Sequence, residues 1–223
     1  ALVDAYNAID KVMQGLIAAE TPIQLPVTIE DVSYTRDNIN SLYADYAKSI
    51  YEWQSVYQKI FSDEALEELD DILDDNVITE DEVSRIITIK GEVVSEYAIA
   101  VSQKTVLSDK QYAKVSEVFD SMEDAYNALI VMFDAILAAE TPIHLGTEEF
   151  SYTREGINTL YSNYAAGIYE WQSAYQKLFS DEALSDISKI LDDNVITADE
   201  MLVFARLNNT LSSEKGSVTS QYN

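Results

Sequence analysis

Ala5-Tyr6-Asn7-Ala8 returns as Ala125-Tyr126-Asn127-Ala128, 120 residues on. The stretch Ser33 to Thr79 returns as Ser151 to Thr197, 118 residues on, with 33 of 47 positions identical. A duplication of this length constrains the fold more than composition can, because whatever structure one copy adopts the other must adopt too. Arrays of such copies typically build length rather than catalytic sites. The strings YEWQS, FSDEAL and LDDNVIT stand in both copies. The duplication predicts two domains, 1–107 and 108–223, each a helical-bundle repeat.

The local text reads as helix, with only six glycines and three prolines. Leu2, Tyr6, Ile9, Met13 and Leu16 step by four and three, a heptad seam. The second copy lengthens that seam upstream through Tyr112, Val115, Phe119, Met122, Tyr126, Leu129, Phe133 and Ile136. Ser108 with Gln111 forms a capping box at its start, which predicts a helix of about 30 residues. Proline ends both helices, at Thr21-Pro22 and Thr141-Pro142.

A second helix carries Ile39, Tyr43, Tyr46, Ile50, Trp53, Tyr57 and Ile60, repeated as Ile157, Tyr161, Tyr164, Ile168, Trp171, Tyr175 and Leu178. Ser62 and Ser180 read as N-caps of a separate short helix. After the turns Asp74-Asp75-Asn76 and Asp192-Asp193-Asn194, Thr79 with Glu82 and Thr197 with Glu200 cap a third long helix. Its apolar row in the first copy is Val83, Ile87, Val94, Tyr97 and Val101, interrupted by Lys90. The expected fold is all-α: two tandem antiparallel bundles of three helices plus one short helix, with coiled-coil-like packing.

A net charge of −26 with only 14 Lys and Arg excludes a nucleic-acid partner, whose phosphates need a basic face. No apolar run approaches the ~18–20 residues of a membrane span. Cysteine is absent, so no disulfide forms. Such acidity suits proteins of virions or of the extracellular space, where repulsion favours solubility.

The tyrosine and tryptophan stripe falls on seam positions, where burial outweighs a sugar-stacking role. Tyr51 and Tyr169 lie off the seam and are expected to be exposed for partner contact. The Asp-Asp-Asn turn resembles part of a calcium loop: Asp71, Asp75, Thr79 and Glu82 fall at loop positions one, five, nine and twelve. Leu73 stands at the third position and Asn76 at the glycine, however. Lys189 replaces Asp71 in the second copy, so the turn reads better as a helix joint with a left-handed Asn. The single histidine, His144, cannot supply Glu-x-x-His pairs or a nucleophilic constellation, and there is no glycine-rich phosphate loop. No catalytic residue, cofactor or resident metal is expected, and an enzyme is not.

Asp75-Asn76-Val77-Ile78-Thr79 with Glu82, then Tyr126 and Leu129, then Tyr161 and Tyr164, follow one another in a cycle. That cycle resembles the helical repeats of tail-fibre and other tail-associated structural proteins of tailed phages. Their motifs are D-G-x-I-T-x-x-E, Y-x-x-L and F-x-x-x-F-x-x-Y-Y; here Asn replaces the glycine and the paired tyrosines stand three apart. The resemblance spans about Asp74 to Leu178. It implies a spacer, stalk or assembly element of a virion tail or extracellular fibre, with protein partners that include further copies of itself. The alternative is an acidic, adhesin-like cell-surface module, calcium-tuned, recognising a glycan or a basic protein.

Overall fold

The computed structural model describes residues 2–222, leaving aside the side chains of Phe61, Gln221 and Tyr222. It is all-α apart from strands of two or three residues. The elements in order are α1 (Leu2–Ala18), β1 (Ile23–Gln24), β2 (Val27–Ile29), β3 (Val32–Tyr34), α2 (Arg36–Ile72), β4 (Val77–Ile78) and α3 (Glu80–Thr105). There follow α4 (Asp109–Tyr112), α5 (Ser116–Ala138), β5 (Ile143–His144), α6 (Arg154–Ile190), β6 (Val195–Ile196) and α7 (Ala198–Tyr222).

The helix starts follow the sequence. Thr79 and Glu82 form the expected capping box at α3, and Ser108 with Gln111 does so at α4. At α7 the Thr197 N–H donates to Glu200 Oε2 over 2.9 Å, and Glu200 N–H donates back to Thr197 Oγ1 over 3.4 Å. Asn76 and Asn194 adopt φ of 63° and 61°, the left-handed geometry asparagine tolerates. Their neighbours Asp75 and Asp193 each accept from the N–H two residues on, at 2.8 and 2.9 Å, closing the turn.

Three expectations are corrected. Ser62 does not start a helix, because α2 runs unbroken for 37 residues, as does α6. No glycine or proline interrupts either stretch near this serine. Ser62 Oγ donates back to Gln58 O at 3.2 Å, the bond of a serine in a helix interior. The predicted long helix after Ser108 is instead broken at 113–115, where Lys114 and Val115 donate three residues back, to Gln111 O and Tyr112 O. On α3 the buried row is Ile86, Ile89, Val93 and Ala100, while Ile87 and Val94 are 53% and 41% exposed. The expected row has Lys90 at its middle; rotating the helix puts that ammonium at the flank, where it pairs with Asp134 of α5.

The chain forms two compact units, and these are not the two copies. One comprises Ala1–Trp53 with Lys177–Asn223, the other Gln54–Gln176. The division at 107/108 therefore gives way to units that each take half of either copy. The cause is the unbroken α2 and α6, each about 55 Å long at 1.5 Å per residue. Each copy thus crosses from one unit to the other within an unbroken helix and leaves half of itself in each.

In the first unit, Tyr6, Ile9, Met13 and Leu16 of α1 and Ile39, Tyr43, Tyr46 and Ile50 of α2 share a core with Ile187, Ile190, Phe204 and Leu211 of α6 and α7. In the second unit, Leu69, Ile72, Ile86 and Val93 of α2 and α3 share a core with Phe119, Leu129, Phe133, Tyr164 and Trp171 of α5 and α6. The same rule builds both units with the copies exchanged.

The short strands repeat that rule. β1 pairs antiparallel with β6, Ile23 opposite Ile196 and Gln24 opposite Val195. β4 pairs antiparallel with β5, Ile78 opposite Ile143 and Val77 opposite His144. Leu25 N–H donates to Asn194 O at 2.9 Å, and Leu145 N–H to Asn76 O at 3.0 Å, the equivalent bond. Within the second unit Ser55 and Ser173, the same position in the two copies, lie 3.3 Å apart through their hydroxyls. The hairpin of β2 and β3 belongs to the first copy alone. It turns through Glu30 and Asp31 at φ of 50° and 65°, as a two-residue turn matched to strand twist requires.

Candidate functional site

The seam aromatics are core. Tyr43, Tyr46, Tyr161, Tyr164 and Trp171 are buried, and Trp53, Tyr57 and Tyr175 half-buried. Trp171 meets Phe119 edge to face at 4.9 Å between centroids and donates its indole N–H to Gln103 Oε1 at 2.8 Å.

Within this core each unit holds one buried tyrosine against one glutamate. In the second unit Tyr164 OH donates to Val93 O at 3.0 Å and to Glu96 Oε2 at 3.2 Å, while Gln58 Nε2 donates to Glu96 Oε1 at 2.9 Å. Burial raises the Glu96 carboxyl above the ordinary carboxylate range, against the opposing pull of the Gln58 and Tyr164 hydrogen bonds. In the first unit Tyr46 OH donates to Glu214 Oε2 at 2.6 Å. Tyr46 and Tyr164 are both raised well above the usual phenol range, by burial first and by the glutamate charge next. Tyr97, which donates to Glu123, is pushed up to about 12 by burial first and that hydrogen bond next. Phenols raised in this way stay protonated and donate; none is an activated nucleophile. The Tyr–Glu pairs were not singled out from the sequence. Their trace there is a glutamate 118 residues from another, Glu96 and Glu214, on otherwise diverged helices.

Tyr51 and Tyr169, expected to be exposed, are half-buried and line equivalent clefts. In the second unit Tyr169, with Ala165 and Ala166, faces Lys59, Asp63 and Leu66 across a cleft of ≈ 410 Å³. In the first unit Tyr51, with Ala47 and Lys48, faces Lys177, Ser180 and Asp181 across ≈ 260 Å³. Small residues on one helix open the space, and Lys48 in place of Ala166 narrows it. At each rim a lysine and an aspartate pair one turn apart, Lys59 with Asp63 at 2.6 Å and Lys177 with Asp181. A partly apolar cleft with a tyrosine face and a paired rim can hold a flat or ring-shaped group.

The four calcium candidates lie near the Asp-Asp-Asn turn, and each has its own bond there. Asp71 accepts from Arg85 Nη2 at 2.9 Å, and Asp75 from Val77 N–H at 2.8 Å. Thr79 and Glu82 bond each other in the capping box. Among the described residues no group of three or more His, Asp and Glu side chains is placed to hold a metal ion. His144 sits exposed on β5, opposite Val77. No helix among the described residues is long and apolar enough to cross a membrane.

The class defined at this point is an all-α protein whose compact units are each assembled from halves of two sequence copies. Comparison with known proteins finds no match to a family model, to a curated protein or to a solved structure.

Proposed function

We propose that the chain is a non-enzymatic structural repeat protein, a spacer or assembly element of a virion tail or extracellular fibre, acting with protein partners. The observation that carries this reading is the exchange of halves between copies. The chain passes between the units inside α2 and α6, at Trp53–Gln54 and Gln176–Lys177, and never in a loop. Drawing the ends apart must then pull helices of one copy out of cores they share with the other. The acidity, −26 over 223 residues, keeps such an element soluble and discourages indiscriminate contact. Immunogold labelling with an antibody against the folded chain tests the reading. Label on tails or surface fibres is the expected result; label confined to the cell interior contradicts it.

The paired clefts favour a second reading, an acidic surface module that takes a glycan ring against Tyr169 and Tyr51. A glycan array and calorimetry with calcium separate the two readings. Binding weakened by Tyr169→Ala supports the module, and silence in both assays removes it.

A further inference from the structure

Where the copies have drifted, several of the differences between the units come in matched pairs. In the second unit Lys90 of α3 pairs with Asp134 of α5. The equivalent positions in the first unit are Asn208 of α7 and Gln14 of α1, so both charges have gone together. In the second unit Arg154 donates to Asp70 at 3.0 Å and Asn158 donates to the same oxygen at 2.9 Å. In the first unit Ser188 replaces Asp70 and bonds Asn40 at 3.2 Å; this change is one-sided, because Arg36 is kept, donates to the carbonyl of Asp192 at 3.2 Å and leaves its Nε without a partner.

Apolar bulk has moved across the seam in the same way. The second unit sets Phe133 of α5 with Ile86 and Val93 of α3; the first sets Met13 of α1 with Phe204 and Leu211 of α7. The ring contacts follow suit. Tyr97 stacks on Tyr126 at 3.7 Å between centroids, whereas in their places Lys215 lies 4.0 Å over the Tyr6 ring.

From these paired changes we infer a pairing code between the copies: the first half of each copy is complementary to the second half of the other copy and not to that of its own kind. Like-with-like pairing would set Phe133 and Phe204 in one core and leave Met13 with Ile86 and Val93 in the other. One core would be overfilled and the other short of volume. It would also set Lys90 against Gln14 and Asp134 against Asn208, leaving the largely covered Lys90 ammonium without its counterpart, while Asp134 stays in solvent. Specificity of this kind rests on penalties for the wrong partner as much as on contacts with the right one. Its consequence is that copies of the same kind, whether from one chain or from two, do not complete each other's cores. The apolar face of each copy is an interaction surface whose one fitting occupant is the other copy.

The test uses the full chain with a protease site inserted after Val106, an exposed position ahead of α4. The folded protein is cleaved, weighed by native mass spectrometry, then unfolded and refolded as a mixture. The inference predicts that the cleaved halves remain a one-to-one complex. It also predicts that the refolded mixture favours the heterodimer over either homodimer by at least about tenfold. Introducing Lys90→Asn together with Asp134→Gln should lower that preference while leaving the complex intact. Where refolding fails, exchange between isotope-labelled and unlabelled cleaved protein reads the same choice, since each half should replace only its like. Release of two separately folded monomers, or a statistical mixture of dimers, overturns the proposal.

Discussion

Gly15 and Ala135 occupy the same position in the two copies, and the neighbouring loop decides which residue fits. A Cβ on Gly15 would lie 2.6 Å from Ile29 Cδ1 and Cγ2, because the β2–β3 hairpin lays Ile29 against α1. The second copy has a shorter loop and no hairpin, and there alanine stands in the helix. Gly15→Ala should destabilise the protein by about 1–3 kcal/mol through overpacking. Ala135→Gly should cost about 1 kcal/mol through helix propensity alone. Urea midpoints at constant m-value check both, and a Gly15→Ala midpoint at or above wild type would refute the packing argument.

Glu96 gives a pH signature with a definite sign. Burial raises its folded pKa above the unfolded value, so the folded state binds the proton more tightly. Its contribution to stability is therefore full below the unfolded pKa and is lost as pH rises through the folded pKa. Asp70 has the opposite sign. Hydrogen bonds from Arg154 and Asn158 hold it below the carboxylate range, so its contribution is lost as pH falls through its folded pKa. Glu96→Gln should flatten the pH profile of stability just above the ordinary carboxylate range, whereas Asp70→Asn should flatten it at and below that range and lower stability at every pH above it.

At the scale of elements, α2 and α6 are the helices that each supply residues to both cores. Ser55→Pro should cost about 3 kcal/mol or more, since it removes a helical hydrogen bond and clashes with the preceding turn. Loss of near-ultraviolet signal from the buried Tyr46, Tyr164 and Trp171 checks it. Thr79→Ala should cost about 1 kcal/mol by removing one side of the α3 capping box.

The seams of α1, α5 and α6 were legible because four-three spacing of large side chains specifies a face without ambiguity. The α3 face was legible only to a reader who let Lys90 veto the row it interrupts. Ser62 was not legible as interior, because a serine before Asp-Glu caps a helix or bonds back to the previous turn according to its surroundings. The exchange of halves left no periodic trace at all. A heptad says which face of Tyr43 or Ile187 is covered, never by which copy. The clefts at Tyr51 and Tyr169 had a partial signal in their off-seam position. Small residues opposite a one-turn Lys–Asp pair become a cleft only once α2 and α6 lie side by side.

For the whole molecule, the duplication is a device for completing cores and not a string of two independent domains. Each copy supplies two half-bundles, one to each unit, and folding consists in finding the other copy's halves. The strand pairs test this most directly, because the cysteine-free chain accepts engineered disulfides without competition. Gln24 faces Val195 and His144 faces Val77 across antiparallel pairs, within the Cα spacing a disulfide spans. Gln24→Cys with Val195→Cys, and separately His144→Cys with Val77→Cys, should oxidise within one chain to the faster-migrating form on a non-reducing gel. The same-copy combinations, Gln24→Cys with Val77→Cys and His144→Cys with Val195→Cys, should stay reduced. Cross-linking of the same-copy pairs with none of the exchanged pairs would contradict the account.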